Sequence, residues 1–340
     1  MRKLRVLALM DDVLVPPEDT TGHDVGTADW KTEFDVVSTL RESGHDVHSL
    51  GVSDDLGVIR DAVRDLKPHI AFNLLEDFHD VPIFDQNLVS YLELLRVPYT
   101  GCNPRGLLLA RDKALAKKLC AFHRVPVANF LVCRIGRKVR RPKELRFPLI
   151  VKSLTKEASA GLSQASVVQD DAKLEERVRF MHTTIGTDAL IEEYIDGREF
   201  YVGVLGNQRL EVLPVWELVF KRLPDDARPI ASNQVKWNAA YRKKWGIDTC
   251  LAKNLTDERR EQIQRIARRV YRTLGLSGYA RIDLRMDATG RCHVLEANPN
   301  PQLAYGEDFA ESAEHAGIEY DALMDRILSL GLRWRPDQLR

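Results

Sequence analysis

Apolar and polar positions alternate through the first third of the chain in blocks of two kinds. Leu4–Met10 is a nearly unbroken apolar run, as expected of a strand buried on both faces. Trp30–Glu42 repeats apolar positions at helical spacing and stops at Ser43-Gly44. Strand patterns recur at Asp46–Leu50 and Ile70–Leu74, and helix patterns at Asp54–Leu66 and Phe84–Leu95. This β-α-β-α-β order predicts an open parallel sheet of Rossmann-like type over residues 1–103. No G-x-G-x-x-G accompanies it, so the pattern defines no dinucleotide site. Asp11–Asp29 is polar and rich in Pro, Gly and Thr, which predicts a long loop. Such a loop is either a binding loop or lid, or simply mobile.

The pattern changes after Gly101. Asn103-Pro104 reads as a helix start, and the helix is expected to run through Arg111, Asp112 and Lys113 to about His123. Strands at Phe130–Cys133, Leu149–Lys152 and Ser166–Val168 and a helix at Lys173–His182 complete an α+β unit, 104–189. A third unit, 190–340, is expected to open at Leu190. It holds a hairpin, Phe200–Leu205 with Arg209–Val219, an irregular basic stretch from Pro224 to Lys253, and a long helix at Asp257–Leu274. A second hairpin and a last helix at Glu319–Leu328 close it.

Chemistry concentrates in that second hairpin, Gly278–Asn300. Arg281, Asp283 and Arg285 alternate with Ile282, Leu284 and Met286, so the charged side chains share one face. Asp287-Ala288-Thr289-Gly290 supplies the turn. On the return strand Glu296 and Asn298 share a face, with His293 and Leu295 expected on the other. Pairing then brings Asp283 close to Glu296 and Asn298. Two carboxylates and an amide oxygen suit a hard cation such as Mg²⁺, which keeps waters and bridges to phosphates. Arg281 on the same face can hold phosphate or developing negative charge. The simpler alternative is a solvated hairpin with a salt bridge.

Composition narrows the class. With 340 residues the chain can bury large cores. Lys plus Arg and Asp plus Glu balance at 50 each, which favours neither nucleic acid nor an acidic membrane surface as partner. Five scattered cysteines without C-x-x-C spacing fit a reducing cytoplasm better than a disulfide framework or zinc site. No secretory signal and no apolar stretch of transmembrane length is visible, so the expected location is cytoplasmic.

The run R-I-D…E-A-N-P-N-P resembles the metal-binding end of the ATP-grasp superfamily, in particular its D-alanine–D-alanine ligase branch. The resemblance covers most of Ala71 to Leu328 and implies the ATP-grasp fold: a Rossmann-like domain and two α+β subdomains clasping ATP. It implies that Lys113, in R-D-K, contacts phosphate, and that Lys152, ending P-L-I-V-K, reaches the α/β-phosphates and the base. Ile191–Phe200 resembles the segment that recognises adenine. By that likeness Glu192 accepts the adenine amino group, Glu193 and Ile195 give main-chain contacts, and Glu199 binds the ribose hydroxyls. Lys236, in V-K-W-N, falls where the family places a lysine on the γ-phosphate. Asp283, Glu296 and Asn298 are the implied ligands of one or two Mg²⁺, with Mn²⁺ a possible substitute.

The implied reaction joins a carboxylate to an amine through an acyl phosphate, with ADP and phosphate released. Positioning and electrostatic stabilisation do most of that work. Arg281, Lys236 and Ser159 are the candidate catalytic residues. A homodimer is a further expectation from the resemblance.

The departures cluster around the substrates. The phosphate-covering loop, Thr155–Ser163, keeps only Gly161 of the family's glycines, while Ser159 and Ser163 persist. Its Glu157 must point away from phosphate or pair with Lys156. D-alanine–D-alanine ligases hold their first substrate with a Glu, a Ser and a Tyr. Here no acid stands at the aligned place before the first helix, the Ser position is Ala158, and the Tyr position is Trp237. The amino-terminal D-alanine subsite is therefore expected to be gone. At the acceptor end, Glu307 or Asp308 would repel a carboxylate, which points to an amine lacking one, or to a cationic amine; alternatively both simply begin a helix. Glu307, Trp237 and His79 are the candidate substrate contacts. Three functions follow: a ligase with another substrate pair, a D-alanine–D-alanine ligase with a rebuilt pocket, or a nucleotide-binding sensor without turnover.

Overall fold

β1 (Arg5–Met10) is buried along its whole length after Arg5, because strands flank it on both sides. In the computed structural model, which describes residues 3–156, 159–224 and 227–336, its neighbours are β2 (Asp46–Gly51) and β3 (Ile70–Asn73). All three run parallel, in the order β2-β1-β3. α1 (Lys31–Glu42), α2 (Gly57–Leu66) and α3 (Asp85–Leu94) link and follow these strands. Val36, Val37 and Leu40 of α1 pack with Val6, Ala8 and Met10 of β1. The loop before α1 contains two short 3-10 turns, capped by the side chains of Asp11 and Asp24.

The single helix expected from Asn103 to His123 is two. α4 (Pro104–Arg111) ends at Asp112, whose extended backbone leaves the helix. The Asp112 carboxylate then accepts from the Leu115 amide at 2.9 Å and caps α5 (Lys113–Phe122). Lys113 consequently stands on the first turn of a new helix. Both helices share a core with the carboxy-terminal sheet: Leu107, Ala110 and Ala116 pack in one cluster with Ala267, Ile282 and Val294.

The central sheet contains β4 (Phe130–Cys133), β5 (Leu149–Ser153), β6 (Val167–Val168) and β7 (Ala189–Glu193), in the order β4-β7-β5-β6. α6 (Asp171–Phe180) covers it with Leu174 and Val178. The strand expected to open the third unit at Leu190 is an interior strand of this sheet, paired on both edges. The chain passes to the next sheet over Tyr194–Asp196.

The last sheet has the order β10-β9-β8-β11-β12 and is antiparallel throughout. It is built from β8 (Gly197–Leu205), β9 (Glu211–Phe220), β10 (Ile247–Leu251), β11 (Tyr279–Asp287) and β12 (Cys292–Pro299). The stretch expected to be irregular thus holds an edge strand, preceded by the short helices α7 (Asn233–Trp237) and α8 (Ala239–Trp245). α9 (Asp257–Thr273) lies over the sheet, and α10 (Asp308–His315) precedes α11 (Tyr320–Arg333). Leu323, Met324 and Ile327 of α11 pack into the first domain's core, so the chain's last helix closes the amino-terminal sheet. Among the described residues no helix is long and apolar enough to cross a membrane.

Candidate active site

A cleft of about 800 Å³ opens between the central and carboxy-terminal sheets. Lys113, Lys152, Lys236, Glu192, Glu199, Asp283 and Glu296 all line it.

At one end, strand register sets the geometry. Ile150 pairs with Glu192 and Lys152 with Leu190, so Lys152 and Glu192 are diagonal neighbours on one face. Their charged atoms are 3.6 Å apart. Lys117, from the second turn of α5, reaches the other Glu192 oxygen at 3.2 Å. Burial pushes the Glu192 carboxyl up, but Lys117 and then Lys152 outweigh it and hold it below its ordinary value. Glu192 Oε1 accepts no hydrogen bond. A buried acceptor without a donor is a place for a ligand N–H.

Glu193 lines the cleft while its carboxylate is taken by Asn129 Nδ2 at 3.0 Å and the Arg146 amide at 3.2 Å. Arg285 stands opposite Glu199 and donates to it at 3.1 Å, as does the Tyr201 hydroxyl. Arg285 also donates to the Ile195 carbonyl at 2.9 Å, fastening the crossover segment.

At the other end lies the acidic hairpin. Asp283 pairs with Glu296 and Arg281 with Asn298. A β-bulge then intervenes: Leu284 pairs with Val294, leaving Leu295 as the extra residue. His293 therefore lies opposite Arg285, on the charged face, and Leu295 lines the cleft; simple alternation fails for both. Arg281 grips Asp283 with two hydrogen bonds of 2.8 and 3.0 Å, and Asn298 Nδ2 donates to Asp283 at 2.9 Å. Burial pushes the Asp283 carboxyl up to about 6 against the pull of Arg281. Burial also opposes ionisation of Glu296, but Lys113 foremost, then Lys236 and Lys152, hold it down to about 2. Lys113 Nζ is 3.8 Å from Glu296 and donates to the Lys156 carbonyl at 3.0 Å. Among the described residues no cluster of three His, Cys, Asp or Glu could hold a metal alone. Asp283, Glu296 and Asn298 stand together on the hairpin, and their oxygens would suit an ion that completes its sphere with water and phosphate.

The loop expected to cover phosphate is tied down across the cleft. Ser159, at a φ of 59°, donates to the Ala231 carbonyl at 2.5 Å, so its hydroxyl is already committed. The Asn233 amide donates to the Leu162 carbonyl at 3.2 Å, and Gln164 and Arg228 exchange bonds of 2.9 and 2.8 Å. Gly161 does not line the cleft. Its carbonyl accepts from Arg177, and a Cβ there would meet Ile185 at 2.7 Å. Its glycine character answers to packing and to a φ of 68°. Glu157 and Ala158 lie outside the described residues.

Lys236 also borders a second, wider cavity with Arg281, Asn298, Trp237, Glu307 and Asp308. Asp308 lies 3.9 Å from Arg281 and begins α10, so it both opens a helix and lines the cavity. Burial, then Asp308, pushes the Glu307 carboxyl up. His79 is exposed, lies outside both cavities, and sets its ring edge against Phe78. From the same loop it is Glu76 that reaches the second cavity.

Sequence reasoning passed over Lys117, Arg285 and Glu33. Lys117 and Glu33 share a signal: each is a charge on a helix's apolar stripe. Ala114, Ala116 and Cys120 flank Lys117 in the buried set, and Val36, Val37 and Leu40 follow Glu33 at helical spacing. Arg285 was placed on the charged face of its hairpin, but nothing local indicated Glu199 as its partner.

A cleft between two α+β units, with lysines at both ends and an acidic hairpin at one, defines the ATP-grasp architecture. Residues 120–329 match the family model described as "D-ala D-ala ligase C-terminus". A D-alanine–D-alanine ligase of Desulfotalea psychrophila is 30% identical over 77% of this chain and 78% of its own. An uncharacterized protein, y4sG, of Sinorhizobium fredii is 34% identical over 88% of this chain and 86% of its own. The crystal structure of D-alanine–D-alanine ligase from Bacillus anthracis superposes with a TM-score of 0.76 at 21% identity, covering 97% of this chain and 98% of that one. A second structure of that protein, complexed with ATP, gives a TM-score of 0.72 at 20% identity over the same shares. The chain belongs to the D-alanine–D-alanine ligase family, ADP-forming carbon–nitrogen ligases of the ATP-grasp class.

Proposed function

We propose that the protein joins a carboxylate to an amine at the expense of ATP, through an acyl phosphate, and that its substrates are not two molecules of D-alanine. One observation carries the reading. A single cleft holds an unsatisfied buried acceptor, Glu192 Oε1, at one end and the Asp283–Glu296 pair beside Lys113 at the other.

In this reading Glu192 and the main chain of Glu193 and Ile195 take the adenine, and Glu199 takes the ribose. Arg285 keeps Glu199 oriented. Lys113, Lys152 and Lys236 neutralise the phosphates of ATP, a substrate here. Asp283, Glu296 and Asn298 would hold Mg²⁺, which would supply positive charge beside the phosphates. The carboxylate oxygen attacks the γ-phosphorus and ADP leaves; the amine then attacks the acyl carbon and phosphate leaves. Arg281, between Asp283 and the second cavity, steadies the tetrahedral oxyanion. Ser159 acts by holding its loop to Ala231, a positioning role.

Trp237 and the acidic residues of the second cavity favour a pair other than two D-alanines. The experiment is ADP and phosphate release by the purified protein with Mg·ATP and pooled amino acids of both hands, small acids and amines, with mass spectrometry of products. Release that requires two pools together supports the ligase and identifies the pair. D-alanyl-D-alanine as the main product overturns the substrate reading, and nucleotide binding without turnover on any pool favours a sensor.

A further inference from the structure

A third cavity adjoins the second and contains a buried charge that no step above uses. Glu33, on the first turn of α1, is 5% exposed, and its Oε2 has no hydrogen-bond partner. It lines the cavity together with Asp11, Asp29, Glu76 and Asp77. Among the described residues no Lys, Arg or His lines it. Arg111, which interacts with Asp77 electrostatically, is drawn instead to Asp85 and to the Glu76 carbonyl. Trp237, Glu76 and Asn300 border both this cavity and the one containing Lys236 and Arg281. One molecule can therefore have its reacting end near Lys236 and its other end against Glu33.

The chemistry of the lining limits what that far end can be. An anion would meet five carboxylates and, among the described residues, no cation. A neutral group would leave Glu33 without a counter-charge, so its carboxyl would have to keep a proton or bear an uncompensated buried charge. A bound metal ion is disfavoured, since no three of these acids come together as ligands. We propose that one substrate is a basic compound, a diamine or basic amino acid, whose distal ammonium or guanidinium is bound by Glu33 with Asp11 and Asp77 around it. Burial pushes the Asp11 and Asp77 carboxyls up as it does that of Glu33, and the Val13 amide at Asp11 and Arg111 near Asp77 offset it only in part.

This inference rests on the ligase reading for its meaning, but its test does not depend on turnover. Binding is measured by calorimetry on the full chain with Mg²⁺ and a non-hydrolysable ATP analogue. The probes are lysine against norleucine and arginine against citrulline, in both hands, and putrescine against butylamine. At least one cationic probe should bind about tenfold tighter than its counterpart, as a charge-assisted hydrogen bond requires. Glu33→Gln should abolish that preference and leave nucleotide affinity within about twofold, since Glu33 does not line the nucleotide cleft. Should that variant not fold, Asp11→Asn, on a half-buried loop, should narrow the same preference. Equal binding within every pair, no binding at all, or a preference that survives substitution overturns the proposal. Cation preference without ADP release would count against the ligase and leave the cation site standing. ADP release with neutral substrates alone would do the reverse.

Discussion

The nucleotide cleft and the acidic cavity hold comparable numbers of carboxylates and treat them in opposite ways. In the cleft four of the five acids have a cation: Glu192 has Lys117 and Lys152, Glu199 has Arg285, Glu296 has Lys113, and Asp283 has Arg281, while Glu193 is held by neutral donors. The carboxyls of Glu192 and Glu296 are held down despite burial. In the cavity Glu33 faces Glu76 and Asp11, and its carboxyl is driven up to about 7 by burial first and those neighbours next. The first site has its charges already matched, which suits the proposed ligand, one that brings anionic phosphates and a metal. The second lacks a positive charge, and a ligand must supply it. On the proposed reading the family's common chemistry belongs to the balanced site, and the substrate preference of this member to the unbalanced one.

The balanced site breaks most sharply at Asp283. Asp283→Asn removes one of two carboxylates from the proposed metal site and the partner of the Arg281 fork. ADP release should fall on the order of 100- to 1000-fold, as loss of a metal ligand or a transition-state contact does. Steady-state kinetics across a Mg²⁺ titration check this, and a turnover number near that of the parent would reject the metal assignment.

A smaller effect is expected from Lys117→Met. Lys117 is buried, 3.2 Å from both Glu192 and the Val294 carbonyl, and makes no contact with the outside. Its removal leaves Glu192 buried with Lys152 alone, so unfolding by urea should show a loss of about 3 kcal/mol. The double variant Lys117→Met, Glu192→Gln removes both charges and should recover most of that loss while still binding nucleotide poorly. If the single variant is as stable as the parent, the claim that this cleft is internally compensated fails.

Much of the balanced site was legible in the chain because its residues sit in periodic elements. Alternation alone put Arg281, Asp283 and Arg285 on one face, and the order of lysines and acids matched a family pattern. Interruptions of period were less legible. The bulge at Leu295 inserts one residue that tertiary packing accommodates, and nothing local announces it; the break at Asp112 had one local sign, an Asp able to cap the next helix. The third unit was expected to open at Leu190; the sheet of this strand is decided by partners in Phe130–Cys133 and Leu149–Ser153, far back along the chain. Ile247–Leu251 follows a polar, basic helix and earns its place by pairing with β9 and packing Ile247 beside Trp216. Glu33 was masked by its chemistry, since an acid on a first turn is an ordinary helix feature, and its place on the apolar stripe gains weight only with its burial.

The mildest prediction concerns that burial. The Glu33 carboxyl rises from an ordinary 4.5 to about 7, so the folded protein holds a proton that the unfolded chain releases. Its contribution is therefore fully present below about pH 4.5 and is lost as pH rises to about 7. Over that window the parent should lose up to about 3 kcal/mol relative to Glu33→Gln, which cannot titrate. The difference in unfolding midpoint between the two proteins, followed from pH 4.5 to 8, measures it. A difference that stays flat would mean that Glu33 finds a counter-charge in solution. A basic ligand that flattens it only when present would be the acidic cavity receiving the charge it lacks.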